Sequence, residues 1–237
     1  MAGKHLKRVA APRAWKIPRK TSVFIVKPNP GAHPLERGLA LSIVIKDYLK
    51  LADTTTEARM IIGKRMVQVD GRFVHNYKFC VGLMDVITLP KTHKNYRVLI
   101  DQRGQLRLKD ITAEEAKWKL TRVENKRTIR GKKFQLNLHD GRNIVTDQSV
   151  HKTGDVLKIE LPTQKILETY QFKQGNVAYM IGGRHVGQVS SVVKFESAKN
   201  PEPVVVTLSD GYNTIKDNLF IIGNKSPELS LLEGVIA

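Results

Sequence analysis

Residues 53–74 read Asp53-Thr54-Thr55-Thr56-Glu57-Ala58-Arg59-Met60-Ile61-Ile62-Gly63-Lys64-Arg65-Met66-Val67-Gln68-Val69-Asp70-Gly71-Arg72-Phe73-Val74, and the order of signals in this stretch decides the fold. Thr54 followed three residues later by Glu57 fits a capping box, in which hydroxyl and carboxylate each accept a backbone N–H that the helix start leaves unpaired. The helix this opens, over 58–62, stops at Gly63. Asp70-Gly71 then supplies the backbone freedom of a tight hairpin turn between two short strands, 66–69 and 72–74. Upstream, Leu39, Leu41, Val44, Ile45, Tyr48 and Leu49 recur near helical spacing with Lys46 and Lys50 on the polar side, which predicts a first helix. Downstream, Asp85-Val86-Ile87-Thr88-Leu89 closes a small sheet.

Outward from this core the pattern turns to strands. From 96 to 170 the residues mostly alternate, with turns at Arg103-Gly104, Asp140-Gly141 and Gly154-Asp155. Thr112-Ala113-Glu114-Glu115 makes a second capping box, which predicts one further short helix. Short strands at 177–181, 186–193, 204–208 and 219–222, separated by glycines or by Pro201 and Pro203, suggest a small barrel. Residues 1–36 combine basic side chains with five prolines and few periodic apolar positions, which predicts an arm that is extended in isolation and held by its partner. The fold class is therefore α+β, mostly β.

Charge separates the two ends of the chain. The 237 residues carry 40 Lys+Arg against 22 Asp+Glu, a formal net charge of +18, and residues 171–237 hold six of each sign. All of the excess lies upstream. Residues 1–37 contain nine basic residues and one acid, Glu36, while 117–133 contain eight and one, Glu124. Solvated surfaces intersperse both signs, whereas uncompensated basic blocks repel themselves unless a polyanion neutralises them. The expected partner is a nucleic acid, bound through phosphate contacts that release counterions. A membrane surface fits less well, because the blocks contain breakers such as Pro12, Pro18, Pro28, Pro30 and Gly131 and no long amphipathic helix. The candidate contacts in these blocks are Lys4, His5, Lys7, Arg8, Arg13, Lys16, Arg19, Lys20 and Arg37, then Lys126, Arg127, Arg130, Lys132 and Lys133.

Other chemistry finds little support. One cysteine, Cys80, allows neither an internal disulfide nor a cysteine zinc cage, so the expected compartment is the cytoplasm. No apolar run approaches the roughly 20 residues of a membrane span, and the first residues lack the apolar stretch of a secretory signal. The seven histidines never fall at metal-ligand spacing, and Gly182-Gly183 with Gly187 lacks the lysine and hydroxyl of a phosphate loop. No metal, cofactor or small-molecule substrate is expected. His139-Asp140 reads as a turn rather than an acid–base pair, and Asp85 as a strand entry. Trp15 and Trp118 would either stack on bases or pack beneath the basic segments.

At 38–89 the order helix, capped helix, hairpin, then Gly82-Leu83-Met84-Asp85-Val86-Ile87 resembles the alpha-L RNA-binding module of ribosomal proteins, pseudouridine synthases and some tRNA synthetases. The flanks narrow this. Lys4-His5-Leu6-Lys7-Arg8 with Ala10-Ala11-Pro12 and Trp15, then 135–143 and Leu219-Phe220-Ile221-Ile222-Gly223, look like the small-subunit ribosomal protein family of archaea and eukaryotes called S4e. Residues 172–187 are similar to that family's KOW motif, carried on an SH3-like barrel, and the tail ends soon after it, which looks archaeal. Cys80 departs from the family, which often has proline there, and so does 213–216.

The resemblance implies four parts: a basic arm at 1–37, an alpha-L module at 38–95, a β-rich central domain at 96–170 and a KOW barrel at 171–237. On the module it implies a helix face and a hairpin presented to RNA, which on this chain adds Lys46, Arg59, Lys64, Arg65, Arg72 and Lys78. A-form RNA offers backbone and 2′-hydroxyls rather than a readable deep groove, so shape and phosphate recognition should dominate. The implied role is that of a non-enzymatic constituent of the small ribosomal subunit in the cytoplasm, with ribosomal RNA and neighbouring ribosomal proteins as partners. The alternatives are an RNA-modifying enzyme of the pseudouridine synthase kind and a KOW transcription elongation factor.

Overall fold

The computed structural model describes residues 5–147, 150–196 and 203–232. The chain forms two compact units, residues 1–99 with 105–119 and residues 100–104 with 120–237. Strands dominate both, as the alternating pattern predicts.

In the first unit a two-stranded pair joins β1 (Leu6–Lys7) to β2 (Phe24–Ile25), and β3 (Gly38–Ala40) leads into a short helix α1 (Leu41–Ile43). The helix widens at once into a π-helical segment, Val44–Tyr48, whose wider winding shows in the Leu49 N–H bonding to the Val44 carbonyl at 2.9 Å. Sequence periodicity suggests one continuous helix from residue 39. Leu39 and Ala40 instead pair as a strand with β6 (Cys80–Gly82), because a residue buried on every side satisfies either period and the cross-strand partner decides. Helix α2 (Thr55–Gly63) carries the expected capping box in full: the Glu57 N–H donates to Thr54 Oγ1 at 3.2 Å, and the Thr54 N–H to Glu57 Oε2 at 3.4 Å. The hairpin β4 (Gln68–Val69) and β5 (Arg72–Phe73) turns on Asp70 and Gly71, both at positive φ. These strands join β7 (Val86–Leu89), β8 (Lys94–Ile100) and β9 (Leu106–Ile111) in the sheet order β5-β4-β7-β8-β9.

Within the described part of the first 37 residues, one side chain is packed against the first unit. Trp15 is 1% exposed and its indole N–H donates to the Gly38 carbonyl at 2.9 Å, so packing is its role. One buried aromatic with a satisfied polar tip anchors the segment that the prolines keep irregular.

The second unit holds two five-stranded antiparallel sheets. The first has the order β12 (Asn143–Thr146), β11 (Lys133–Leu138), β10 (Trp118–Ile129), β13 (Val156–Glu160), β14 (Ile166–Tyr170), and buries Val123, Leu136, Leu138, Leu157 and Ile159 together. The second runs β18 (Asn213–Ile215), β17 (Val205–Leu208), β16 (Val189–Glu196), β15 (Val177–Met180), β19 (Leu219–Gly223), with β15 and β19 buried throughout. The 112–115 capping box yields one 3₁₀ turn, Glu115–Lys117, started by the Glu115 N–H on Thr112 Oγ1 at 3.3 Å. Gly141 takes positive φ at the Asp140 turn, while His139 Nδ1 accepts the Arg122 N–H at 3.1 Å, a structural use for that pair.

A buried ionic cluster organises the first unit. The fully buried Lys119 ammonium lies 2.8 Å from Asp70 and 2.5 Å from Asp85, and His33 Nε2 lies 2.9 Å from the other Asp85 oxygen, which also accepts the Gly82 N–H at 2.8 Å. Gly82 is required here because a Cβ would stand 2.3 Å from the His33 ring. Burial alone would push the Asp85 carboxyl up, but His33 and Lys119 outweigh it and hold it far below the ordinary range. A folded pKa depressed below the unfolded value near 3.8 contributes stability that is complete above that value and is lost as pH falls. Thermal denaturation should therefore show the wild-type chain losing stability between roughly pH 5 and pH 3 more steeply than Asp85→Asn. Lys119→Ala, which strands two buried carboxylates, should cost about 3–5 kcal/mol at neutral pH.

Candidate nucleic-acid interface

The basic residues singled out from the sequence divide into internal fasteners and exposed cations. Arg8 belongs to the first class: it is 5% exposed, with Nε on the Pro18 carbonyl at 2.6 Å, one terminal nitrogen on Ser22 Oγ at 2.9 Å and the other on Asp47 at 3.3 Å. The half-buried Arg19 bonds the carbonyls of Ala11 at 2.7 Å and Pro12 at 2.9 Å. Segments rich in proline lack N–H donors to close their own turns, and arginine's fixed fork of donors serves the orphaned carbonyls instead. The 117–133 block is likewise less exposed than its count implies, since Lys119 sits in the ionic cluster and Arg122 donates to the carbonyls of Asp217 at 2.7 Å and Leu219 at 2.8 Å.

His5, Lys7, Arg13, Lys16 and Lys20 are exposed and Arg37 is half-buried; Lys4 lies outside the described residues. Two clefts in the first unit gather several of these. The smaller, about 320 Å³, is lined by His5, Lys46 and Lys78 among others, and also by Tyr77, whose ring lies 5.3 Å from the Arg59 guanidinium and 5.6 Å from the Lys78 ammonium. The larger, about 720 Å³, brings Lys16 and Arg19 beside Lys50, Arg107, Tyr48 and Tyr96. Lys64 and Arg65 just beyond α2, and Arg72 in the β4–β5 hairpin, stand exposed and line neither cleft. Lys27, Lys50 and Arg107 are cleft residues that the sequence reading did not put forward as contacts. Arg107 had a signal in the alternation of Leu106-Arg107-Leu108 on β9.

In the second unit the hairpin of β10 and β11 carries the remaining cations. Register pairs Arg127 with Gln135 and Ile129 with Lys133, and Arg130, Gly131 and Lys132 make the turn, Gly131 at positive φ. Arg127, Arg130, Lys132 and Lys133 are exposed, and among described residues only Lys133 of these four has a carboxylate within 4.0 Å, Asp147 at 3.4 Å. Lys126 is half-buried, over the Phe134 ring at 4.7 Å and bonded to the His151 carbonyl at 2.9 Å, so its stem is fastened while its neighbours are not. The arrangement can grip phosphates at several points. Among the described residues no group of three or more His, Cys, Asp or Glu side chains could hold a metal, and no helix is long and apolar enough to cross a membrane. The Cys80 thiol is pushed up to about 11 by burial and by Asp85, which leaves it unreactive.

The model of Ribosomal family S4e matches residues 92–166, and that of the RS4NT (NUC023) domain matches residues 2–36. The chain is 44% identical over 240 residues to small ribosomal subunit protein eS4 of Methanocaldococcus jannaschii, covering 96% of this chain and 97% of that one. It is 43% identical over 235 residues to the eS4 protein of Methanothermobacter thermautotrophicus, covering 98% and 97%. A crystal structure of the 30S ribosomal protein S4e from Thermoplasma acidophilum superposes with a TM-score of 0.72 at 39% identity, covering 79% of this chain and 96% of that chain.

The two classes of cation should separate in one pair of measurements. Arg8→Ala should raise amide hydrogen exchange across 6–25 and lower the melting temperature, whereas Arg13→Ala with Lys20→Ala should leave both unchanged and weaken retention on a heparin column.

Proposed function

The chain belongs to ribosomal family S4e, whose archaeal relatives match it over almost their whole length, and on that premise we propose how it serves as a structural constituent of the small ribosomal subunit. It binds ribosomal RNA through exposed and half-buried cations on both compact units, and neighbouring ribosomal proteins complete its surroundings. The interface comprises His5, Lys7, Arg13, Lys16 and Lys20 near the start, Lys46, Arg59, Lys64, Arg65, Arg72 and Lys78 on the helix–hairpin part, and Arg127, Arg130, Lys132 and Lys133 on the β10–β11 hairpin. Lys4, Arg37 and Lys126 contribute at its margins, while Arg8 and Arg19 act indirectly by shaping the segment that displays the others.

The observation that carries this reading is the hairpin tip, where Arg127, Arg130 and Lys132 stand exposed and no described carboxylate neutralises them. A protein keeps such a self-repelling cluster when a phosphate backbone supplies the missing charge. We further read 1–37 as the family's basic arm, 38–95 as an alpha-L module, 96–170 as a central domain and 171–237 as a KOW barrel. The order of α1, capped α2 and the Asp70-Gly71 hairpin supports the module, and the five-stranded sheet β15–β19 supports the barrel. The family is one of ribosomal structural proteins rather than enzymes, which disfavours a modifying-enzyme role, and the ribosomal relatives disfavour an elongation factor.

Filter-binding titrations against a small-subunit ribosomal RNA transcript test the interface. Replacing Arg127, Arg130, Lys132 and Lys133 by glutamine, or separately Arg59, Lys64 and Arg65 by alanine, should weaken binding and flatten the salt dependence by roughly 0.7–0.9 for each phosphate no longer neutralised. Unchanged affinity and slope would remove that patch from the interface.

A further inference from the structure

The smaller cleft holds more than charge. Ser42, at the second position of α1, is 2% exposed and lines the cleft, yet its Oγ has no hydrogen-bond partner among the described residues. A buried hydroxyl left unpaired costs stability, and such a group persists where a ligand completes it. Phe24 lines the same cleft while remaining 57% exposed, with its ring 5.7 Å from that of His5. Lys27, Lys46 and Lys78 supply positive charge, and the Asp47 carboxylate, the acid in the lining, is held by Arg8 at 3.3 Å. Lys46 and Asp47 sit on the π-helical segment, a local widening that often marks functional positions. A volume of about 320 Å³ lies at the lower end of small-ligand sites, large enough for a single nucleotide and too small for a duplex.

Cations, an exposed aromatic face and a hydroxyl seeking a partner are the three recognition elements of an unstacked ribonucleotide. We propose that this cleft takes one unpaired nucleotide of the bound RNA. Its phosphate lies among Lys27, Lys46 and Lys78, its base rests against Phe24, and its 2′-hydroxyl completes Ser42 Oγ. Serine and the 2′-hydroxyl each donate and accept, so the pair is satisfied in either sense, and DNA lacks the second member. This deepens the RNA-binding reading and rests on it.

The test uses the full chain and a small-subunit ribosomal RNA transcript, with affinity measured across salt concentrations. Phe24→Ala should weaken binding roughly 5- to 100-fold with no change in salt slope, since stacking goes while every phosphate stays neutralised. Ser42→Ala should weaken it about two- to tenfold while leaving the melting temperature of the free protein unchanged or higher, because an unpaired buried hydroxyl has been removed. Lys46→Gln should flatten the slope by roughly one phosphate's share. Wild-type affinity in both Phe24→Ala and Ser42→Ala, with wild-type protein still binding the transcript, overturns the nucleotide pocket and leaves the RNA reading standing. Failure of the wild-type chain itself to bind the transcript overturns both.

Discussion

One buried ammonium group holds the first compact unit in register. Lys119 Nζ reaches Asp70 at the turn of the β4–β5 hairpin and Asp85 at the entry to β7, residues 49 and 34 positions away. Asp85 in turn takes the Gly82 N–H and meets His33, while Asp70 Oδ1 accepts the Val86 N–H at 2.9 Å. Asp70 therefore secures the start of β7 and Asp85 the end of β6, each holding the lysine on its other side. Hydrophobic burial can be satisfied by several strand registers, whereas a desolvated charge has few acceptable partners, so the cluster selects among packings that the apolar core would tolerate. Next to it the Arg97 guanidinium, wholly buried, lies 4.5 Å from the Trp118 ring and donates to the carbonyls of Glu115 and Trp118, and burial lowers its pKa to about 10.

What the sequence made legible was local. The Thr54–Glu57 box marked the start of α2 because both of its bonds join residues within one turn, and Asp70-Gly71 marked the hairpin because the turn needs positive φ at adjacent positions. Four of the five strands from 177 to 223 were found within a few residues for the same reason, since glycine and proline punctuate them, while β18 went unpredicted. What stayed hidden depended on distant partners. Leu39 and Ala40 went to a strand through Cys80 and Val81, forty or so residues away, and Trp15 found its acceptor on Gly38. No local period encodes either contact.

The candidate site shows the same division. Counting charge points to basic surfaces but gives every lysine and arginine equal weight. Arg8, Lys119 and Arg122 lie within strongly basic runs and point inward, because Asp47, Asp70 and Asp85, and the Asp217 and Leu219 carbonyls supply their partners. Conversely Arg107 and Lys50 fall outside the dense runs and share a cleft with Lys16. A run of like charge thus reports a surface only after its long-range partners have been subtracted.

Strand β10 displays that subtraction along twelve residues. From Lys119 to Val123 every residue is buried, charged ones included, and from Glu124 onward most are exposed. The switch cannot come from side-chain type, since Arg122 and Arg127 are chemically the same and differ in exposure. It comes from what stands within reach: Arg122 meets Glu124 and two orphaned carbonyls, whereas Arg127 faces Gln135 across the ladder and no carboxylate among the described residues. A guanidinium desolvated against internal acceptors is fixed by the fold and indifferent to salt. One left in water gains most from a phosphate fork, whose two parallel hydrogen bonds complement its geometry and whose bound counterions return to solution when it binds. The first kind of arginine makes the scaffold; the second can act only because the scaffold has no acid left to offer it.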